Sequence, residues 1–588
     1  MKIISALLLG VLTIFSWLTP SQATELVESE IYQPAPLKTE AAKHQLKLSP
    51  LSAANRSLST LLFPAQSMNL TAPTASELAA LAQTDTQHKA LKIGIERSVP
   101  ALPDVKDWVW LPVTDGQAAQ FIISSESASN LRALVELETS LPAGVELRVF
   151  SAKQADEVYG FYQQIHFKQI EGTTKFAWWT PTVSGSQLGL EIFVPEVVNP
   201  AEIKLSIPQI SHIAYDLKAG KFKGVSESFL KFSSCDVSMA CAPAAWQSTA
   251  QAVARYVFTD AAGKSYLCTG TLLADKDTGT QIPYFMTAAH CIVNAELADT
   301  MDFYWFYQES SCGSGNATWT RTTGGADLLA TRSELDMSLV RMRTAPPVGS
   351  LLSGWSLQSL QTNSTMVGIH HGLGNPKQFS QGNFVSYASV SATPTGYMAT
   401  QDPAGSFTQV SWTQGITAQG SSGSGVWTTI NGNPYFKGTL VGGSSSCTAP
   451  NTPDEYTRLE RFHPYVTTWL EATGGPLTSL VDSSKSLNGL MDGVIIARYL
   501  AGKRGTELLA NVAVGSFDLS QLESKLDLLK PNLDIDGDNS MDANKDGILL
   551  IRYLMGLRDA ALIGQFDFTN SKRKTAPEIN QYLETILF

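Results

Sequence analysis

Hydrophobic and polar positions follow four different rhythms along this chain. Lys2 precedes a mostly apolar run from Ile3 to Leu18, then Pro20 and the small-x-small triplet Ser21-Gln22-Ala23. That layout predicts a secretory signal peptide over 1–23, and the run falls short of the roughly 20 apolar residues of a spanning helix. Residues 24–105 are polar, rich in Ser, Ala and Thr and broken by prolines, with one helical-looking stretch around Thr74–Ala82. They read as a linker-like segment without a compact core. From 106 to 231 the text changes to short runs of β-branched and aromatic residues, such as Phe121-Ile122-Ile123, Leu147-Arg148-Val149-Phe150 and Leu190-Glu191-Ile192-Phe193-Val194, separated by Gly, Pro and Asn. This is the pattern of a β-sandwich.

Short strands and Gly/Ser-rich turns continue over 232–474, enough for two six-stranded barrels, and end in a helical stretch, Arg461–Glu471. After Gly474-Gly475 the rhythm becomes helical, with Leu, Ile and Tyr at amphipathic spacing through 588. An internal repeat lies there. Asp492-Gly493-Val494-Ile495-Ile496-Ala497-Arg498-Tyr499-Leu500 is echoed by Asp546-Gly547-Ile548-Leu549-Leu550-Ile551-Arg552-Tyr553-Leu554, so two related helical units should pack as a pair.

Composition narrows the partners. A formal charge of -11 without a Lys/Arg cluster excludes a nucleic-acid binder. No later stretch is apolar enough to span a membrane, so the mature protein is expected to be exported. All six Cys lie between Cys235 and Cys447 with no C-x-x-C pair, which suits an oxidised, disulfide-bonded domain better than a zinc site.

Candidate chemistry sits in three fragments: Thr287-Ala288-Ala289-His290-Cys291, Glu334-Leu335-Asp336-Met337-Ser338-Leu339 and Gly420-Ser421-Ser422-Gly423-Ser424-Gly425. A hydroxyl nucleophile, a base and a carboxylate that orients the base are the parts of a serine peptidase, here Ser422, His290 and Asp336. The order His, Asp, Ser is that of the chymotrypsin double barrel, and differs from α/β-hydrolases and subtilisin. Asp299, Asp302 and Asp327 rival Asp336, but only Asp336 leads into the apolar pattern Met337, Leu339, Val340. The N–H groups of Gly420 and Ser422 would form the oxyanion hole. His370 and His371 are read as structural or substrate-facing.

In the second helical unit Asp534, Asp536, Asp538, Asp542 and Asp546 approach the alternation of a calcium loop. Position twelve is Lys545, so the closing acid arrives one residue late. Only Asp482, Asn488 and Asp492 stand at the equivalent places of the first unit. Calcium is expected in this module, and no cofactor is expected for catalysis.

The cysteines and their surroundings resemble the lysyl endopeptidases, secreted bacterial serine proteases of the chymotrypsin fold. The matching text is Cys235, Cys241, Leu267-Cys268-Thr269-Gly270, Thr287–Cys291, Tyr304-Trp305-Phe306-Tyr307-Gln308, Cys312, Ile369-His370-His371, Gly420–Ser424 and Gly442-Gly443-Ser444-Ser445-Ser446-Cys447. The resemblance implies disulfides Cys235–Cys447, Cys241–Cys312 and Cys268–Cys291. It also implies a specificity carboxylate at Asp454, beside the strand carrying Gly442 and Gly443, since the trypsin-type position is Ile416. Val441 stands where the family has a His, which leaves cleavage after Arg open beside Lys. The C-terminal repeat is similar to bacterial dockerin modules, which implies a cohesin-like or cell-surface partner.

The expectation is therefore a mostly β secreted protein. A β-sandwich propeptide precedes a chymotrypsin-like double barrel, and a small α-helical dockerin-like domain follows it. It should hydrolyse protein substrates after Lys, or Lys and Arg, and be freed from its propeptide by cleavage after Lys223 or Lys231. The alternative is a calcium-dependent binding or scaffold protein in which the protease fold is secondary.

Overall fold

The computed structural model describes residues 26–33, 65–79, 81, 90–170, 172–223, 234–276, 281–313, 315–393, 396–471, 480, 487–510, 512, 522–523, 526–527, 529–538 and 540–587. The signal-peptide reading, Asp482 and the Lys231–Phe232 bond lie outside them. No helix among the described residues is long and apolar enough to cross a membrane.

The fold is mostly β. Two six-stranded sheets face each other in the N-terminal part, one ordered Gln154–Tyr162, Glu146–Ser151, Gln187–Pro195, Gly116–Ser125, Gln66–Leu70 and the other built on Asn130–Leu137 and Leu205–Ile213. Period-two burial drives the pairing: Leu131, Ala133, Val135 and Leu137 point inward against Leu147, Val149, Leu190 and Ile192. The sandwich starts earlier than position 106. Gln66–Leu70 runs parallel to Phe121–Ser125, and Gly94–Ser98 pairs with Gln209–Ile213, so the linker-like reading of 24–105 is corrected there. Gln66–Leu70 escapes notice because it is an edge strand with only Met68 and Leu70 apolar.

Two β units follow. In the first, Val253–Thr259, Ser265–Leu273, Tyr284–Thr287, Asp302–Gln308, Ala326–Arg332 and Met337–Met342 wrap Tyr256, Phe285, Phe303 and Trp305. In the second, Thr365–His370, Gln378–Thr393, Phe407–Gln414, Asp454–Arg458, Asn433–Gly443 and Gly425–Ile430 close on themselves through the pairing of the strands that hold Gly443 and Asp454. One apolar core runs through both, from Phe285 to Trp427 and on to Phe462 and Leu470. The disulfides are Cys235–Cys447, Cys241–Cys312 and Cys268–Cys291, the pairing that the resemblance implies.

In the C-terminal module the helices Val494–Leu500 and Ile548–Leu554 carry the repeat. Each is entered through a single π-turn, Gly489–Gly493 and Ala543–Gly547. The units pack reciprocally on glycine: a Cβ on Gly547 would stand 2.9 Å from Ala497, and one on Gly493 2.9 Å from Ile551.

Candidate active site

His290 and Asp336 are carried by different segments of the first β unit and meet by two hydrogen bonds. The backbone N–H of His290 donates to Asp336 Oδ1 at 2.7 Å, and His290 Nδ1 lies 2.7 Å from Oδ2. Both side chains are largely buried. Asp336 closes a turn just before Met337–Met342 and adopts φ 51°, a left-handed conformation that Asp tolerates better than most residues. The Thr457 hydroxyl donates to the Leu335 carbonyl and so ties this turn to the second β unit. The rival acids have other partners. Asp302 pairs with Arg321 at 2.6 Å, while Asp299 and Asp327 bind Arg343.

Ser422 is fully buried, and its Oγ has no hydrogen-bond partner among the described residues. Its loop is pinned from both β units. Thr269 N donates to Ser422 O at 2.9 Å, Thr269 Oγ1 to Gly420 O at 2.8 Å, and Gly423 N to Leu440 O at 2.9 Å. Gly420 and Gly423 have φ of 87° and 77°. A Cβ on Gly423 would fall 2.2 Å from Thr287 Oγ1 and 2.7 Å from Ala288 N, so only glycine lets the serine turn approach the segment that bears His290. The adjacent Cys268–Cys291 bridge ties the His290 segment to the strand whose Thr269 holds the serine loop, and removes both sulfurs as metal ligands. Ser421, Gly423 and Ser424 spend their N–H groups on carbonyls, whereas those of Gly420 and Ser422 take no acceptor among the described residues. These two donors suit a developing oxyanion.

His370 emerges as a positioning residue for this loop. It is buried, its Nδ1 lies 2.9 Å from Ser421 Oγ, and its Nε2 lies 3.0 Å from Ser380 Oγ. Ser380 Oγ in turn donates to Ile416 O at 3.1 Å, and Ser421 Oγ accepts from Ala418 N at 3.2 Å. The imidazole thus braces the loop at two points. His370→Ala is expected to lower kcat by about 10- to 100-fold with little change in KM, short of the roughly 10²- to 10³-fold cost of losing an oxyanion donor outright. Steady-state kinetics on an ester substrate, alongside a thermal melt, check this.

Asp454 is fully buried at the start of Asp454–Arg458. Its carboxylate accepts from Trp412 Nε1 at 2.7 Å, Thr417 Oγ1 at 2.6 Å, Ser445 Oγ at 2.7 Å and Ser445 N at 3.1 Å. Gly442 and Gly443 run antiparallel to Glu455 and Asp454, and a Cβ on Gly443 would stand 2.0 Å from Asp454 Oδ1. Position 443 therefore has room for glycine alone against this acid. Nearby, Tyr397 donates to Glu455 Oε2 at 2.8 Å. Burial first, then the charges of Glu455, Asp454 and Asp336, hold its phenol well above the usual range. Asp454 and Glu455 thus lie next to each other in the chain, both buried. The sequence reading missed Trp412, Thr417 and Ser445 as the donors to Asp454, and nothing in the text around Trp412 or Thr417 marks them.

Comparison with known proteins bears on this site. The family models for the lysyl endopeptidase C-terminal domain and N-terminal domain match residues 231–457 and 69–214. Lysyl endopeptidase of Pseudomonas aeruginosa is 34% identical over 376 residues, 61% of this chain and 76% of that protein. This chain belongs to the lysyl endopeptidase family. It is accordingly a serine endopeptidase, and proteases of this family need no catalytic cofactor. Solved structures with partial likeness include the Rv3671c protease of M. tuberculosis in its active form, at 14% identity, 43% of this chain, 96% of that chain and TM-score 0.27. Another is the MamO protease domain of Magnetospirillum magneticum, at 11% identity, 37% of this chain, 98% of that chain and TM-score 0.26. At these scores neither adds to the assignment.

Outside the region matched to the family, Asp534, Asp536 and Asp538 bring carboxylate oxygens within 4.8 Å of one another. Asp542 and Asp546 do not join them among the described residues. The extra residue before Asp546 is absorbed by the π-turn, in which Gly547 N donates to Asp542 O. The Asp546 carboxylate then faces loop N–H groups, accepting from Ile535 at 2.7 Å and Asp542 at 2.8 Å. Asp492 does the same in the first unit, accepting from Leu480 and Asn488 at 2.7 Å. Lys545 Nζ pairs with Asp536 and lies 3.3 Å from Asp538, so an ammonium already offsets part of the acidic charge. The three oxygens fit a hard cation only if that ammonium moves.

Proposed function

We propose that this protein is a secreted endopeptidase that cuts on the carboxyl side of Lys, and of Arg less efficiently, through Ser422, His290 and Asp336. The single observation that carries this reading is the pairing of two arrangements: the His290–Asp336 hydrogen bonds and the buried Asp454 held by neutral donors. Ser422 Oγ attacks the scissile carbonyl carbon while His290 Nε2 takes its proton. Asp336 holds the Nδ1–H tautomer and stabilises the imidazolium. The carbonyl oxygen, now negative, is met by the N–H groups of Gly420 and Ser422. His290 then gives its proton to the leaving amine, and water repeats the sequence on the acyl-enzyme. Trp412, Thr417 and Ser445 hold Asp454 in place through neutral donors, and a substrate cation would add an attraction of opposite charge to these bonds. A neutral side chain would offer that buried carboxylate no opposite charge of its own.

Residues before Cys235 act as a propeptide. The two family matches end at 214 and resume at 231, and the bonds after Lys223 and Lys231 lie within or at the edge of that interval. Incubation with a fluorophosphonate tests the nucleophile: the processed enzyme should lose activity and carry one label, on the peptide containing Ser422. Full inhibition with the label elsewhere would overturn the assignment.

A calcium role for Asp534, Asp536 and Asp538 is the weaker part of the reading. It rests on the convergence of their oxygens, with calcium replacing the Lys545 ammonium. Titration calorimetry of Ca²⁺ into the full-length Ser422→Ala chain should give saturable heat that Asp536→Asn abolishes. No heat up to millimolar Ca²⁺ would mean that Lys545 is the resident cation. A calcium-dependent scaffold binding a cohesin-like or cell-surface partner, with the protease fold secondary, gains less support, because a binder has no use for the hydrogen-bonded His290–Asp336 pair.

A further inference from the structure

The segment 26–33 lies far in sequence from the double barrel yet is built into it. Leu26 and Val27 pair antiparallel with Ser356 and Trp355, and Glu30 and Ile31 with Leu352 and Leu351. They add a strand beside the connector between the two β units. Tyr32 N donates to Ser350 O at 2.8 Å, Gly354 N to Ser29 Oγ at 2.8 Å, and Gln281 Nε2 to Ile31 O at 2.9 Å, while Gln33 N donates to Gln281 Oε1 at 2.9 Å. The Tyr435 hydroxyl donates to Glu28. Val27 is 6% exposed and belongs to the same apolar core as Trp355 and Phe436. Gly354 is shaped for this occupant, since a Cβ there would stand 2.2 Å from the Val27 carbonyl oxygen. None of these partners lies on the loops bearing His290, Asp336, Ser422 or Asp454.

The sandwich holds the protease at a separate place. Leu91 and Lys92 pair with Leu267 and Tyr266, and Ser211 Oγ lies 2.7 Å from Ser265 Oγ. Thr182 N and Oγ1 donate to Asp302 Oδ2 at 2.8 and 2.9 Å, and Arg132 donates to Thr259 Oγ1 at 3.0 Å. Residues 34–64 join the two attachments.

We infer that the groove formed by Ser350–Ser356, Tyr435 and Gln281 is a strand-addition site for residues 26–33 of this same chain, and that this strap keeps the propeptide on the protease after the bond near 223–232 is cut. The inference rests on the propeptide reading above. Cleavage there severs one covalent link but neither non-covalent attachment. Each attachment then holds the other at high effective concentration, and release requires both to open together. The strap supplies main-chain hydrogen bonds and one buried valine, and leaves the catalytic residues untouched.

The test uses the full chain after self-processing, with the nicked state verified on a denaturing gel. A chain that stays intact would sink the self-processing reading alone. The same nicked protein is then made with a foreign protease site placed within 224–231. Gel filtration over time should show the propeptide fragment co-eluting with the protease. Val27→Asp, or an excess of synthetic peptide 26–33, should raise its release rate by about tenfold or more, toward the roughly 10²- to 10⁴-fold that a second linked contact can contribute. A scrambled peptide should have no effect, and the freed Val27→Asp enzyme should retain full activity on a small substrate. Where Val27→Asp fails to fold, the peptide competition on the natural sequence decides. Release rates unchanged by the peptide, or by the folded variant, overturn the inference.

Discussion

Ser422→Ala, cut through a foreign protease site placed within 224–231, is expected to show kcat about 10⁴- to 10⁶-fold below that of the processed enzyme while leaving KM for a lysyl peptide within a few-fold. Removal of the hydroxyl deletes the nucleophile but none of the bonds that shape its loop, because those run through the backbone of Gly420, Ser422 and Gly423 and the hydroxyls of Thr269 and Thr287. The fold and the pocket should therefore persist, and a residual rate above water should come from the oxyanion donors and substrate binding. Burst-phase kinetics on an activated ester check this: the natural enzyme should release a stoichiometric burst and the variant none. A variant that kept more than about a hundredth of the activity would move the nucleophile to another residue, since no triad tolerates loss of its hydroxyl to that degree. A second reading of the same protein supports or weakens the self-processing proposal, because the Ser422→Ala precursor should remain uncut between 214 and 234.

The second large effect is at Asp454. Asp454→Asn should lower kcat/KM for a lysyl substrate by about 10²- to 10⁴-fold, the range expected from removing one partner of a buried charge pair at roughly 3–5 kcal/mol. The loss should be specific. Activity on a matched peptide with Gln at the cleavage position should fall much less or rise, since a neutral side chain gains nothing from the carboxylate that the variant lacks. The substitution also sets an amide group against Trp412, Thr417 and Ser445, all of which donate to the carboxylate. A melting curve is therefore needed beside the kinetics, and stoichiometric fluorophosphonate labelling of the variant would show that Ser422 remains reactive. Equal losses on the Lys and Gln peptides would place the specificity acid elsewhere.

The legible parts of the site were those written in short contiguous text. Thr287–Cys291 and Gly420–Gly425 each encode a backbone shape and a reactive group together, so His290 and Ser422 could be read with little context. Asp336 could be separated from Asp299, Asp302 and Asp327 by the strand pattern that follows it, and the structure gives those three acids to arginines. Asp454 came from resemblance alone. Its support comes from Trp412, Thr417 and Ser445, three segments brought together only by closure of the second β unit, and no local pattern announces such a convergence. His370 was seen but left without a task, because its partners Ser421 and Ser380 become neighbours only across two strands.

The fold shows the same division. The sandwich strands around Phe121–Ile123, Leu147–Phe150 and Leu190–Val194 are short apolar, β-branched and aromatic runs and were legible. Gln66–Leu70, Leu91–Lys92 and Leu26–Ile31 were not, because short edge strands earn their place through main-chain bonds to a partner already formed. The repeat around Tyr499 and Tyr553 was plain in the text. The π-turn that absorbs one residue before Asp546 was visible only as an acid arriving late, and its consequence, the turning of that carboxylate toward loop N–H groups, needed coordinates.

The central claim is tested most directly by digesting an unfolded protein of known sequence with the processed enzyme and mapping every new terminus by mass spectrometry, with Ser422→Ala as the blank. The expected result is a set of cuts after Lys, with a minority after Arg, all absent from the blank. Cuts scattered over other residues, or cuts that persist in the blank, would contradict it.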